Sequence, residues 1–189
     1  GHIGSPSMAD DAAGTLINRA IDRGVNFVDT ARSYGLSEER IGRHLSWRRH
    51  DVFLCTKVGY GIEGAADWSY KAIFQGAVEA MAKMQTNYLD IVLLHSCPAD
   101  ILRQDEVLRA LEDMKRSGMV RFTGYSGENA DLDAALSLPQ VEVVESSVNI
   151  CDQANLDGRF ARLGGRGLIA KRPLANAFWR FSTQPQGDY

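Results

Sequence analysis

Apolar residues recur along the chain in two alternating rhythms. From Ala12 to Arg23, Leu16, Ile17, Ala20 and Ile21 fall at helical spacing, and Gly24 follows where the left-handed turn after a helix favours glycine. A short apolar run, Val25 to Asp29, comes directly after and reads as a strand. Ser37 offers a hydroxyl cap to a helix reaching about Ser46, with Glu38 and Glu39 in a first turn where the helix dipole favours negative charge. The unit then repeats. Strand Val52 to Thr56 leads to a helix near Tyr70 to Met84, and strand Leu89 to His95 to a helix near Asp105 to Ser117, closed by Gly118. Strand Val120 to Tyr125 precedes helix Ala130 to Leu138, strand Val141 to Val148 precedes a short helix from Asn155 to Leu163, and strand Gly167 to Lys171 ends the series.

Six β/α steps in strict alternation predict parallel pairing, because each crossover between parallel strands needs a covering helix. Several strands are near-continuous apolar runs, as expected where both sheet faces are buried. A doubly wound open sheet shares this pattern but usually carries a glycine-rich phosphate turn after an early strand. Here that turn reads Thr30-Ala31-Arg32-Ser33-Tyr34-Gly35, and the later Gly164-Gly165 pair precedes a strand rather than a helix. A barrel-type arrangement fits better.

Composition narrows the class further. The chain has 189 residues, 44% hydrophobic and 24% charged, enough for one core, and a formal net charge of -3. No basic run or aromatic-basic stripe marks a nucleic-acid surface. No apolar stretch reaches the roughly 18 residues of a membrane span, and no signal-peptide pattern opens the chain, so a cytoplasmic protein is expected. Cys55, Cys97 and Cys151 are widely spaced, and His2, His44 and His50 have no partners at metal-ligand spacing. No metal site is expected.

Four proton-handling side chains stand at or just beyond the ends of the first three apolar runs: Asp29, Tyr34, Lys57 and His95. In parallel α/β folds the carboxyl ends of the strands carry the chemistry. Singly, each has a plain structural alternative: Asp29 as a turn residue, Lys57 as a solvated cation, His95 as a satisfied core group. Their joint occurrence at successive strand ends points to a site.

The residues resemble the aldo-keto reductases. Gly24-Val25-Asn26-Phe27-Val28-Asp29-Thr30-Ala31 with Tyr34-Gly35 and Ser37-Glu38 is similar to that family's first signature, Thr56-Lys57-Val58 to its lysine strand, and Tyr88 to His95 to its histidine strand. The similarity continues through Gly124-Tyr125-Ser126 to Ala170-Lys171-Arg172-Pro173-Leu174. The resemblance implies an NADPH-dependent reductase of aldehydes or ketones on a TIM-type (β/α) barrel. Tyr34 is then the general acid, Lys57 the cation that lowers its pKa, Asp29 the holder of Lys57, and His95 the group that aims the substrate carbonyl. A Ser-Asn pair and a Gln that hold the nicotinamide carboxamide in the family correspond to Ser126-Gly127 and Glu145. Ionised Glu145 accepts hydrogen bonds but donates none. Lys171 and Arg172 are candidates for the cofactor's phosphates. Trp68, Tyr70, Phe178 and Trp179 are candidates to line an apolar pocket.

Barrels of this type have eight strands and typically need ~250 residues. The chain is therefore expected to hold the equivalents of strands two through seven, with its end at Phe181 to Tyr189 stopping short of an eighth. Two consequences are expected: self-association through open sheet edges, and a weakened grip on NADPH with low turnover. The alternative function implied by the same resemblance is a non-catalytic cofactor-binding or protein-interaction module.

Overall fold

Strand order follows chain order. Residues 2–156 and 158–180 are described in the computed structural model, and among them six strands form a single sheet in which every neighbouring pair is parallel. The strands are β1 (Phe27–Asp29), β2 (Phe53–Val58), β3 (Leu89–His95), β4 (Val120–Ser126), β5 (Val143–Ser147) and β6 (Gly167–Lys171). Helices α1 (Asp10–Asp22), α2 (Ser37–Leu45), α3 (Tyr70–Lys83), α4 (Ala99–Leu102), α5 (Asp105–Arg116) and α6 (Asn129–Ala135) lie between and before them. The sheet curls into a half-barrel, an α/β arrangement matching part of a TIM barrel.

Period-two alternation divides the strand residues between two cores. Val28, Leu54, Val58, Val92, Leu94 and Val144 pack with helix residues such as Ile41, Ile73, Leu111 and Leu132 in the larger, outer cluster. The intervening positions face the barrel interior, where Cys55, Leu93 and Val143 pack with Phe27, Ile91 and Ile169. At the amino-terminal mouth of that interior a cavity is lined by Phe27, Phe53, Ile91, Phe122 and Val143. Of its ionisable lining residues, Asp90 is already engaged by Arg49 at 2.6 Å, Arg121 at 2.9 Å and the Leu54 N–H at 2.9 Å. The carboxyl-terminal mouth is different: there the inward positions are Asp29, Lys57, His95, Ser126, Glu145 and Lys171.

Several local expectations need correction. Strand β1 is only three residues long, because Gly24 adopts φ 92° and the Val25 N–H returns to the Ala20 carbonyl at 3.1 Å, closing α1 instead of extending the strand. Ser37 is not a hydroxyl cap but the first residue of α2; its Oγ accepts from Thr30 Oγ1 at 2.8 Å. Glu38 is buried and accepts from Thr56 Oγ1 at 2.7 Å, with burial pushing its carboxyl pKa up. The helix expected from Asn155 to Leu163 is a turn followed by a 3-10 segment at Phe160–Arg162. There the Asn155 side chain points back to Ser146 Oγ at 2.9 Å and Glu128 Oε2 at 3.2 Å, a bonding pattern that competes with helix. The expected ending at Phe181 to Tyr189 and the side chain of Phe178 lie outside the described residues. No helix among the described residues is long and apolar enough to cross a membrane.

Gly124 shows how tightly the interior is filled. A Cβ added there would lie 2.0 Å from the Val143 carbonyl oxygen and 2.7 Å from a Leu93 methyl group. Gly124→Ala should therefore cost about 1–3 kcal/mol of unfolding free energy through overpacking. Urea denaturation checks this, and an unchanged midpoint would show that β4 and β5 have room to part.

Candidate functional site

The carboxyl-terminal ends of the strands gather the polar residues that the alternation turns inward. Lys57 comes from inside β2 rather than just beyond it, and its ammonium donates to Asp29 Oδ1 of β1 at 2.5 Å and to the Thr30 carbonyl at 3.1 Å. Glu145 Oε2, from β5, lies 3.2 Å away but off the hydrogen-bond directions, so this contact is chiefly Coulombic. Strands β2 and β5 are three strand spacings apart, roughly 14 Å in a flat sheet. Their side chains meet only because the sheet curls.

Lys57 is 1% exposed. Burial alone would lower its pKa, yet the carboxylates of Asp29 and Glu145 together outweigh that and raise it, so the ammonium is firmly charged. The Glu145 carboxyl is pushed up by its own burial and by Asp29, against the pull of Lys57. Asp29, Cys55 and Glu145 hold one potential ligand atom each within 4.8 Å of one another, but the Lys57 ammonium already takes the place between the two carboxylates.

Tyr34 reaches this group from the loop between β1 and α2. Two turns shape the loop: Tyr34 N–H donates to the Ala31 carbonyl at 3.0 Å, and Ser37 N–H to the Tyr34 carbonyl at 3.2 Å. The segment around Gly4 packs against it so closely that a Cβ at Gly4 would sit 1.6 Å from the Tyr34 carbonyl oxygen. Buried Arg40 of α2 fastens that segment by donating to the carbonyls of Ile3 at 2.6 Å, Ser5 at 2.9 Å and Met8 at 2.6 Å.

The Lys57 ammonium is 5.4 Å from the centre of the Tyr34 ring, and the Tyr34 and His95 rings meet edge to face at 6.1 Å. The structure thus brings Asp29, Tyr34, Lys57 and His95 together. It reverses one electrostatic expectation. Burial raises the Tyr34 phenol, Lys57 opposes, and Asp29 and Glu145 add to the rise, so the net direction is up rather than down. His95 is drawn down to about 4 by burial and by the cations Lys57 and Lys171, against Asp29. At neutral pH the phenol keeps its proton and the imidazole is uncharged. Because the folded value of His95 lies below its ordinary 6.5, the unfolded chain binds the extra proton first and stability falls as pH drops from about 6.5 to about 4.

The residues expected near a cofactor divide in two. Ser126 and Glu145 are buried together, with Ser126 Oγ donating to Glu145 Oε1 at 3.2 Å. Lys171 lies 3.2 Å from Glu128 Oε1, and the Arg172 guanidinium donates to Ser147 Oγ at 3.4 Å. Both basic residues sit at the rim with protein partners. A side chain at Gly127 would strike the buried Tyr125 phenol, 2.4 Å from an added Cβ, so Tyr125 excludes an Asn there. Of the aromatic candidates, Trp68 stands near His95 through Tyr60, whereas Tyr70 is spent on Phe74 and on Asp113 at 3.0 Å; Trp179 is exposed.

Tyr60 was not singled out by its sequence position. Its hydroxyl is 2.8 Å from His95 Nδ1 and 3.2 Å from Ser33 Oγ, and its ring stacks on the imidazole. The flanking glycines in Gly59-Tyr60-Gly61 were the available signal, since both take positive φ.

Six parallel strands in sequential order, curled with helices outside, match part of a (β/α) barrel. The family is narrower: the chain belongs to the aldo/keto reductase family, whose sequence model matches residues 1–188. L-galactose dehydrogenase of Arabidopsis thaliana is 33% identical over 189 aligned residues, covering 93% of this chain and 59% of that protein. A probable voltage-gated potassium channel subunit beta of Oryza sativa subsp. japonica is 30% identical, covering 87% of this chain and 55% of its own. Among solved structures, the holo form of the aldo-keto reductase AKR11C1 from Bacillus halodurans is 26% identical and superposes with a TM-score of 0.84, over 98% of this chain and 65% of that one. The chain spans less than two thirds of the length of each of these relatives.

Replacing Lys57 by Met leaves two carboxylates facing each other around an apolar chain. Lys57→Met should cost about 3–5 kcal/mol at neutral pH, the penalty for an uncompensated buried charge. In the variant the folded-state carboxyl pKa values rise above their unfolded values of about 4, so the deficit should shrink as pH falls toward that range. Urea midpoints at both pH values check this; a deficit that grows on acidification would contradict it.

Proposed function

We propose that this chain reduces an aldehyde or ketone to the alcohol with NADPH. The carrying observation is the convergence of a protonated phenol, a fixed ammonium and a neutral imidazole at one mouth of the half-barrel. Tyr34 gives its proton to the carbonyl oxygen as negative charge develops there. Its raised pKa keeps it a proton donor at neutral pH, and the Lys57 ammonium stabilises the phenolate left behind. Asp29 holds Lys57 in place. His95 donates a hydrogen bond that directs the carbonyl toward Tyr34 and shares the developing charge.

A nicotinamide cofactor, when bound, would supply the hydride. Ser126 and Glu145 would hold its carboxamide: the hydroxyl would donate to the amide oxygen in exchange for its present bond to Glu145, and the carboxylate would accept from the amide nitrogen. Lys171 and Arg172 stand at the rim for the phosphates, each by exchanging a present protein contact for the ligand. Family membership and the similarity to a named dehydrogenase support this reading. The similarity to a channel beta subunit supports a second one, a cofactor-binding interaction module, in which the same pocket binds but turns over little. Strands β1 and β6, each with one partner strand among the described residues, are the edges through which self-association is proposed.

Fluorescence titration gives the NADPH affinity, and single-turnover oxidation with protein in excess over cofactor, across a panel of aldehydes and ketones, gives the rate even where binding is weak. Tyr34→Phe should lower that rate by about 10²–10⁴ and leave cofactor affinity unchanged. Binding without oxidation in the parent chain favours the interaction module. Equal rates in parent and variant would remove Tyr34 from the chemistry.

A further inference from the structure

We propose that Tyr60 is the positioning residue for His95, its hydroxyl donating to Nδ1 so that Nε2 carries the proton and is the nitrogen offered to a ligand's carbonyl oxygen. The role in carbonyl reduction rests on the function proposed above; the assignment of the tautomer does not. A neutral imidazole has one N–H, and the hydrogen bond made by one nitrogen decides which tautomer is held. Here the phenol oxygen of Tyr60 lies 2.8 Å from Nδ1, and the two rings stack with centroids 5.7 Å apart and planes 26° from parallel. A near-parallel ring and a hydrogen bond from the same rigid aromatic together restrict the rotation and the tilt of the imidazole.

Tyr60 is itself held on a built mount. Ser33 Oγ, one residue before Tyr34, accepts from the same hydroxyl at 3.2 Å, the longer of the two acceptors of its single proton beside Nδ1 at 2.8 Å, and so links the Tyr60 loop to the loop that carries the Tyr34 phenol. The edge of Trp68 closes on the other side, with ring centroids 5.7 Å apart at 74°. The flanking backbone is tied down too: Gly61 N–H donates to Asp67 Oδ1 at 3.1 Å, and Arg32 Nε donates to the Gly61 carbonyl at 2.9 Å. Gly59, at φ 133°, leaves room for the indole, since a Cβ there would lie 2.0 Å from a Trp68 ring carbon. Trp68 adopts φ 66°, a conformation that bulky residues take only when their surroundings impose it. The strain is localised where the loop clamps Tyr60 against His95.

Tyr60→Phe tests this because it keeps the stack and removes only the hydroxyl. Nitrogen-15 NMR of the imidazole, with His95→Gln identifying its signals, reports the tautomer directly and without cofactor. The parent chain should show the Nε2–H form, and Tyr60→Phe a mixture with the Nδ1–H form, while urea midpoints change little. In single-turnover reduction the variant's maximal rate should fall by roughly five- to tenfold, the size of one hydrogen bond, with NADPH affinity unaltered. A dominant Nδ1–H form in the parent, or an unchanged tautomer in the variant, would overturn the proposal. A tautomer shift in a chain whose parent reduces no carbonyl would uphold the positioning of His95 and count against the function instead.

Discussion

The ammonium of Lys57 sits where the interior of the half-barrel offers it no water, and the rest of the site depends on how that charge is compensated. Desolvating a lysine costs several kcal/mol, and a single carboxylate partner recovers this only with good geometry and further hydrogen bonds. Here β1 supplies Asp29, the residue after it supplies the Thr30 carbonyl, and β5 supplies Glu145 from across the barrel. Those contacts can form only if the strands keep their register and the sheet curls. A one-residue slip in β2 would turn Lys57 outward against α3 and bring Thr56 or Val58 inward. The charge cluster is thus as much a statement about the fold as about the chemistry.

The same cluster sets the protonation states around it. A cation balanced by two carboxylates exerts a weaker field than a cation alone, so burial prevails at Tyr34 and its phenol stays protonated. At His95, burial and the cations Lys57 and Lys171 outweigh the pull of Asp29, so the imidazole stays neutral. A site with a proton donor and an uncharged hydrogen-bond donor beside a fixed positive charge favours negative charge appearing on a ligand's oxygen. Glu145 is where this chain departs from the amide that the family resemblance implies. Its carboxylate strengthens the hold on Lys57 and restricts what the pair with Ser126 can offer a carboxamide.

Much of this was legible in the sequence because the signals were local. Alternating apolar rhythms gave the order of strands and helices, and the positions of Asp29, Lys57 and His95 at strand ends pointed to one mouth of a barrel. What was not legible depended on contacts distant along the chain. Ser37 reads as a cap until Thr30 is seen to claim its hydroxyl, and Asn155 reads as helical until Glu128 and Ser146 claim its amide. The direction of the Tyr34 shift turns on burial, with Asp29 and Glu145 adding to it, and that burial follows from tertiary packing and curvature that no local pattern encodes. Tyr60 was overlooked for a similar reason: its partner, His95, lies 35 positions away.

The reading of these strand-end groups as a reductase site requires that they protonate a carbonyl oxygen while hydride from NADPH reaches its carbon. The most direct measurement uses NADPH deuterated at the transferable C4 position, with the protein in excess, and mass spectrometry of the alcohol product. One deuterium is expected on the carbinol carbon, with product formation strongly suppressed by Tyr34→Phe. Alcohol formed without the label, or cofactor bound at saturation with no labelled alcohol from any carbonyl in a broad panel, would contradict it.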